Sequence, residues 1–264
     1  MARLSKHEKP LSKIDGNKNN PNEIVINQHV IPQKHLLEWS RDGKMVNVVE
    51  VASKKEKILP ANSAYFCVMR LWDQWTETKM LKSNEDNYQS QVSIISTGAN
   101  TYKKEFLMAY YTLLCVRLWV ANKERPHTPS QMEDISYEAS KEELEQNELE
   151  MNGPVHFLLS TINPNSQHMA REVVKMTMNL AFSKWASQME PEDWHLYESD
   201  DNRFILSDSF YNNFIEKFHV LPINPRQVLI ANSTYTYLKA NNLLSTEYIN
   251  MIMKRNAVNY YIKA

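Results

Sequence analysis

Apolar residues recur every three or four positions through the middle of the chain, which is the spacing of one helix face. The clearest pattern covers residues 102–122, where no proline or glycine interrupts it, and a second covers about residues 166–189. A further helical segment is predicted over 70–98, and a final helix over 245–257. The middle of the chain is therefore predicted to be mainly helical.

Short alternating or β-branched segments lie on both sides of this helical region. The best strand candidate near the N-terminus is 45–51. The candidates near the C-terminus are 194–197, 203–207, 227–231 and 260–262. We expect an α+β fold, with a mixed or antiparallel sheet formed by strands from both ends of the chain.

The stretch 27–39 differs from an ordinary core segment. Pro32 fixes its own φ and favours an extended conformation in the residue before it, so His29 is predicted to lie in an extended segment. A helix is predicted to begin at about Pro32 or Gln33, and its positive dipole end favours anions near His29. Two interpretations remain open: His29 packs or caps this turn, or it has a functional role.

Composition limits the possible partners and organisation. The chain has 264 residues, 23% of them charged, and a formal net charge of −1, so no global field attracts nucleic acid or an anionic membrane. Residues 1–22 are polar and lysine-rich and are predicted to form a flexible arm. Residues 23–264 are predicted to form a single domain, with 131–153 as an acidic insertion, acidic helix face or mobile segment.

Several site classes lack their sequence signals. Cys67 and Cys115 are isolated, the histidines lack metal-ligand spacing, and neither GxGxxG nor GxxxxGK[ST] is present. We therefore predict no metal centre, and the sequence leaves any cofactor unknown. The most apolar window, 106–120, is too short and too polar to span a bilayer, so we expect a cytoplasmic protein without a membrane partner.

Arg117 lies on or beside the apolar stripe of the helix predicted over 102–122. A buried arginine requires a carboxylate or an anion as its partner. The alternative is a surface arginine that lies over Trp119.

Four motifs carry a family resemblance. They are His29-Val30-Ile31-Pro32-Gln33-Lys34-His35-Leu36, Phe204-Ile205-Leu206-Ser207-Asp208-Ser209-Phe210, Leu221-Pro222-Ile223-Asn224-Pro225-Arg226 and the segment 250–257. In order and spacing they resemble the bacterial family catalogued as domain of unknown function 4238, with its H-x-x-P-x-x-x-L, T-S-D-x-P and P-L-S-P-like motifs. The resemblance covers about residues 25–264 and implies a domain, not a reaction. Leu206, Phe210 and Asn224 stand where the family has threonine, proline and serine.

We expect these separated polar motifs to converge near one end of the sheet. In that arrangement His29 acts as a general base or acid, and Asp208 orients it or holds a metal. Ser207 and Arg226, with Arg117, bind the substrate, an arginine clamping its phosphate. In the structural alternative Asp208 caps a turn, Ser207 satisfies backbone groups and Arg226 pairs with Asp208.

Two functions follow from these alternatives. The first is a hydrolase or nuclease-like effector, of the defence or toxin type, that acts on a phosphate-bearing or nucleic-acid substrate through His29 and Asp208. The second is a non-catalytic recognition or regulatory module that binds a protein partner. The near-neutral charge argues against tight non-specific DNA binding, for which only the arm 1–22 offers clustered lysines.

Overall fold

The structure is a computed structural model. It describes residues 22–98, 101–122, 141–150, 167–190, 192–199, 201, 203–209 and 218–264. The predicted arm 1–22 therefore lies outside the described residues except for Asn22. The described residues form a mixed α+β structure, which confirms the predicted class.

The described helices are α1 (Gln33–Leu37), α2 (Lys82–Ser96), α3 (Lys104–Ala121), α4 (Lys141–Glu150), α5 (Gln167–Met189), α6 (Asn232–Ala240) and α7 (Thr246–Asn256). The described strands are β1 (Asn27–His29), β2 (Met45–Glu50), β3 (Glu56–Pro60), β4 (Cys67–Met69), β5 (Trp194–Glu198), β6 (Leu206–Ser207), β7 (Val220–Pro222), β8 (Gln227–Ala231) and β9 (Tyr260–Lys263). A 3-10 turn covers Ala64–Phe66, and a π-helix covers Thr76–Leu81.

The chain divides into two compact units. Unit 1 contains residues 1–28, 67–83 and 120–181, and unit 2 contains residues 29–66, 84–119 and 182–264. The single domain expected over 23–264 stays a prediction.

In unit 2, one antiparallel sheet has the strand order β3-β2-β9-β6. Val48 is paired with Lys57 on one side and with Ile262 on the other. Strands from the N-terminal and C-terminal parts of the chain therefore share one sheet, as the sequence predicts. Val48 and Ile262 are buried, so one face of this sheet packs on the core.

A second antiparallel sheet of unit 2 has the order β5-β8-β7. The strand candidates on either side of the polar turn 198–202 are therefore placed in different sheets. The segment after β5 instead attaches to the turn before β8, because Ser199 N–H donates to the carbonyl of Arg226 (2.8 Å) and Phe204 N–H to that of Pro225 (2.9 Å).

Helix α3 provides much of the apolar surface at the centre of unit 2. Leu107, Tyr111, Leu114 and Leu118 belong to its core and are all buried. The helix predicted over 102–122 is confirmed, as is the start of α7, where the Ser245 hydroxyl caps the amide of Tyr248 at 3.2 Å.

Unit 1 contains the β1–β4 pair, the π-helix, α4 and the first part of α5. The prediction of a helix from residue 70 was wrong at its start, because helical structure begins only at Gln74. Arg70 has a φ of 37°, a left-handed conformation that a regular helix excludes. Within the described residues, no helix is both long enough and apolar enough to cross a membrane.

Candidate functional site

His29 lies at the end of β1 and is partly buried. Its Nε2 is 3.3 Å from the carbonyl oxygen of Ala61, so Nε2 carries the proton and donates to that oxygen. Burial lowers the pKa of His29; the Ala61 carbonyl opposes this shift, and the nearby Arg117 guanidinium adds to it. His29 is therefore predominantly neutral at pH 7.

The Arg117 side chain is buried, and its guanidinium donates to the carboxylate of Glu85 and to the backbone carbonyl of His29. The expectation that a buried arginine needs an acidic partner is met by Glu85. These bonds connect α3 and α2 with the residue that begins the His-Val-Ile-Pro motif.

Asp208 follows β6 and is only 2% exposed. Its carboxylate accepts three backbone N–H groups, from Val258 (2.8 Å), Asn259 (2.7 Å) and Tyr260 (3.2 Å). Burial raises the pKa of Asp208, whereas these N–H groups lower it. The side chain thus fixes the connection between α7 and β9.

Ser207 and Arg226 lie in different environments. Ser207 is fully buried on β6, and its hydroxyl accepts the backbone N–H of Ser209 at 3.2 Å. Arg226 lies in the turn between β7 and β8, with its side chain 61% exposed and 3.7 Å from Glu198. The Asn224 side chain forms this turn by accepting the N–H groups of Arg226 and Gln227, both at 2.9 Å.

The structure brings only two of the five predicted site residues into contact, namely His29 and Arg117. Within the described chain, no hydrogen bond or ion pair of Asp208, Ser207 or Arg226 reaches either of them. The Ser-Asp motif and the histidine therefore occupy separate hydrogen-bond networks.

A second histidine does connect the distant motifs. His35 is fully buried on α1; its Nε2 donates to the carbonyl of Pro222 at 2.8 Å, and its Nδ1 accepts the hydroxyl of Tyr110 at 2.8 Å. Trp39 Nε1–H donates to the carbonyl of Phe204 at 2.9 Å. The stretch 27–39 therefore meets the second and third motifs through His35 and Trp39, which the sequence interpretation did not assign to this role.

His35 and its neighbours form an aromatic cluster. Tyr110 stacks on Tyr88 with the ring centroids 3.7 Å apart, and both rings lie about 5.6 Å from the imidazole. Burial lowers the pKa of His35 to about 4. An enclosed neutral imidazole with both nitrogens bonded suits a structural role better than proton transfer to a solute.

Unit 1 contains a separate network of buried charges. Arg70 Nη1 lies 3.3 Å from Glu145, and its Nη2 lies 2.9 Å from Glu148. Lys175 lies 3.0 Å from both Asp73 and Glu172. Two glutamates of the predicted acidic segment, Glu145 and Glu148, are therefore buried, with side chains at most 1% exposed.

The Gln28 side chain stabilises the turn that follows Arg70, beside this network. Its oxygen accepts the N–H groups of Leu71 (2.7 Å) and Trp72 (3.1 Å), and its amide donates to the carbonyl of Trp72 (2.9 Å). Burial raises the pKa of Asp73, and the Lys175 ammonium lowers it.

In the part of the chain that the structure describes, no three acidic, histidine or cysteine side chains are grouped to hold a metal ion.

Unit 2 also has an open cleft of about 480 Å³ between α7 and the outer face of the four-stranded sheet. Val49, Ile205 and Tyr261 provide apolar surface within it. The charged residues around the cleft carry both signs: Glu56, Arg203, Glu247, Lys254 and Lys263. Such a mixed surface can accept apolar and charged groups from a ligand.

Comparison of the chain with protein-family models, with curated proteins and with solved structures found no match. The resemblance to domain of unknown function 4238 therefore stays a prediction.

Proposed function

We propose that this protein is a non-catalytic recognition module that binds a protein partner. The observation that carries the proposal is the state of Asp208, whose buried carboxylate is engaged by three backbone N–H groups. A catalytic carboxylate has to present an oxygen to substrate, metal or base, and these bonds direct the Asp208 oxygens to the backbone instead.

The other predicted site residues support the same proposal. The buried Arg117 guanidinium is bonded to Glu85 and to a carbonyl, and Arg226 is a largely exposed turn residue. The cleft beside α7 offers a protein surface with apolar patches and charges of both signs.

An assay for hydrolysis separates this proposal from the hydrolase alternative. The purified chain is incubated with single-stranded DNA, duplex DNA, RNA and a chromogenic phosphodiester, each with and without Mg²⁺ or Mn²⁺. We expect no turnover above that of His29→Ala under any condition. Turnover by the wild type that His29→Ala abolishes, with an unchanged melting temperature, would establish the enzyme instead.

A further inference from the structure

Among the described residues, the outer edge of β3 has backbone groups that pair with no other strand. Two hydrogen bonds, from Ala61 N–H to Lys44 O (2.9 Å) and from Glu50 N–H to Lys55 O (3.0 Å), show which residues of β3 direct their backbone groups toward β2. Lys57 and Leu59 therefore direct their backbone groups toward β2, while Glu56, Ile58 and Pro60 direct theirs away. Because β3 ends the sheet order β3-β2-β9-β6, the outward groups face no other strand of that sheet.

Four of these outward groups are available for pairing, the N–H and C=O of Glu56 and of Ile58. Pro60 has no N–H, and its carbonyl already accepts Ser63 N–H at 2.9 Å. The unpaired part of this edge is therefore short. Its donors and acceptors have the spacing of a β-strand, which only another extended chain matches.

Ile58, at the same edge, has an exposed apolar side chain. It is 68% exposed, on the outer face of a strand whose other exposed residues are charged or proline. An added strand would cover this isoleucine with a cross-strand neighbour, which is the contact that stabilises paired strands.

The charges around β3 indicate which charged residues a strand added at this edge would contain. Three carboxylates lie near β3: Glu50 is paired with Lys57, Glu56 is paired with Lys263 at 2.5 Å, and Asp42 accepts the backbone N–H of Lys44 at 2.9 Å. The exposed lysines 44, 54 and 55 then leave an excess of positive charge at the two ends of β3. Acidic residues on either side of an apolar centre complement this edge.

A second copy of the chain fits this edge poorly. Antiparallel pairing of β3 with itself about Ile58 would bring Lys54 and Lys55 of one copy toward Lys44 of the other, because Lys44 lies beside Ala61. Like charges at such positions oppose pairing.

We propose that β3 binds an extended segment of a partner protein as an additional strand, with an apolar residue beside Ile58 and acidic residues on either side. This inference rests on the proposed recognition function and specifies its ligand. The added strand lies next to the cleft beside α7, since Glu56 contributes to both the edge and the cleft.

The test uses the full chain and a displayed library of random twelve-residue peptides. We expect selected peptides to share an apolar centre flanked by glutamate or aspartate. Synthetic copies are then measured against the wild type, Ile58→Pro and Ile58→Val. Proline at 58 removes an outward N–H that bonds nothing within the sheet, so we expect binding at least about tenfold weaker with the melting temperature retained.

Ile58→Val is the matched control, because it keeps the N–H and most of the apolar surface; its affinity should stay within about threefold. If Ile58→Pro lowers the melting temperature, Ile58→Glu replaces it in the binding measurement. The glutamate keeps the backbone N–H and repels an acidic partner. Hydrogen exchange should show that peptide binding protects the amides of Glu56 and Ile58.

Three results would overturn the inference: a selection without acidic enrichment, binding by Ile58→Pro and Ile58→Glu that is as tight as binding by the wild type, or a wild-type dimer that Ile58→Pro dissociates. Each leaves the recognition function itself to be judged by the hydrolysis assay, so the two proposals fail separately.

Discussion

His35 lies between α1, α3 and β7, with hydrogen bonds to Tyr110 and to Pro222 on opposite ring nitrogens. Protonation of the buried ring would turn Nδ1 from acceptor into donor and place a charge in an apolar core. His219 is comparable: its Nδ1 lies 3.2 Å from the Tyr111 hydroxyl, and burial lowers its pKa to about 4. Both histidines require the neutral form.

The stability of the protein should therefore fall on acidification. The pKa of His35 drops from 6.5 in the unfolded chain to about 4 in the folded one, so between these values the unfolded state binds the extra proton. The stabilisation is complete above pH 6.5 and is lost as the pH falls toward 4. At pH 5 the loss from His35 amounts to roughly 2 kcal/mol.

Urea unfolding of the wild type and His35→Gln at pH 7 and pH 5 measures this loss. The stability difference between the two proteins should shrink by that amount at pH 5. The raised pKa of Asp208 acts in the opposite direction but is common to both proteins and cancels. An equal difference at both pH values would show that His35 does not titrate as described.

At the scale of elements, α4 is attached by buried ion pairs. Glu148 Oε2 bonds Arg70, and its Oε1 accepts the backbone N–H of Gln74 at 2.5 Å. Removal of one partner from a buried pair leaves an uncompensated charge, which costs more than the intact pair contributes. We expect Glu148→Gln to reduce the free energy of unfolding by about 3 kcal/mol.

Glu150→Gln is the control, because Glu150 lies two residues further along the same helix and is exposed. Urea denaturation followed by circular dichroism compares the two variants. Equal midpoints for Glu148→Gln, Glu150→Gln and the wild type would contradict the described network.

The elements that the sequence predicts correctly are those with strong local signals. Helix α3 follows from its uninterrupted apolar spacing, and α7 from its Ser245 cap. The predicted start of the 70–98 helix was wrong because Arg70 has a left-handed conformation. Its side chain is bound by partners such as Glu148, 78 residues away. Strand β3 and helix α6 were missed, since β3 is largely exposed and α6 has few buried positions.

The candidate site illustrates the same limit. The sequence predicted that His29, Ser207, Asp208 and Arg226 meet in one site, whereas the contacts of the N-terminal stretch with later motifs are made by His35 and Trp39. It did not indicate that His35, rather than His29, makes the connection, because that depends on the side-chain bond to Pro222, 187 residues away. Periodicity assigns residues to a face of an element but does not pair individual polar atoms across a core.

At the scale of the molecule, hydrogen bonds within unit 2 connect the motifs that are far apart in the sequence. Trp39 and His35 attach the N-terminal motif to Phe204 and Pro222, while Asp208 attaches the end of β6 to the start of β9. Two sheets and α3 are thereby joined around one core. The exposed edge of β3 and the cleft beside α7 are the surfaces that we propose for recognition.

Asp208→Ala tests the central claim most directly, through its free energy of unfolding in urea at pH 7. The substitution leaves three backbone N–H groups without their acceptor, so we predict a loss of about 2–3 kcal/mol. Asp86→Ala, which removes an exposed aspartate 3.9 Å from Lys34, should change stability by less than about 0.5 kcal/mol. If Asp208→Ala is as stable as Asp86→Ala and abolishes a hydrolytic activity of the wild type, the carboxylate is catalytic and the account is contradicted.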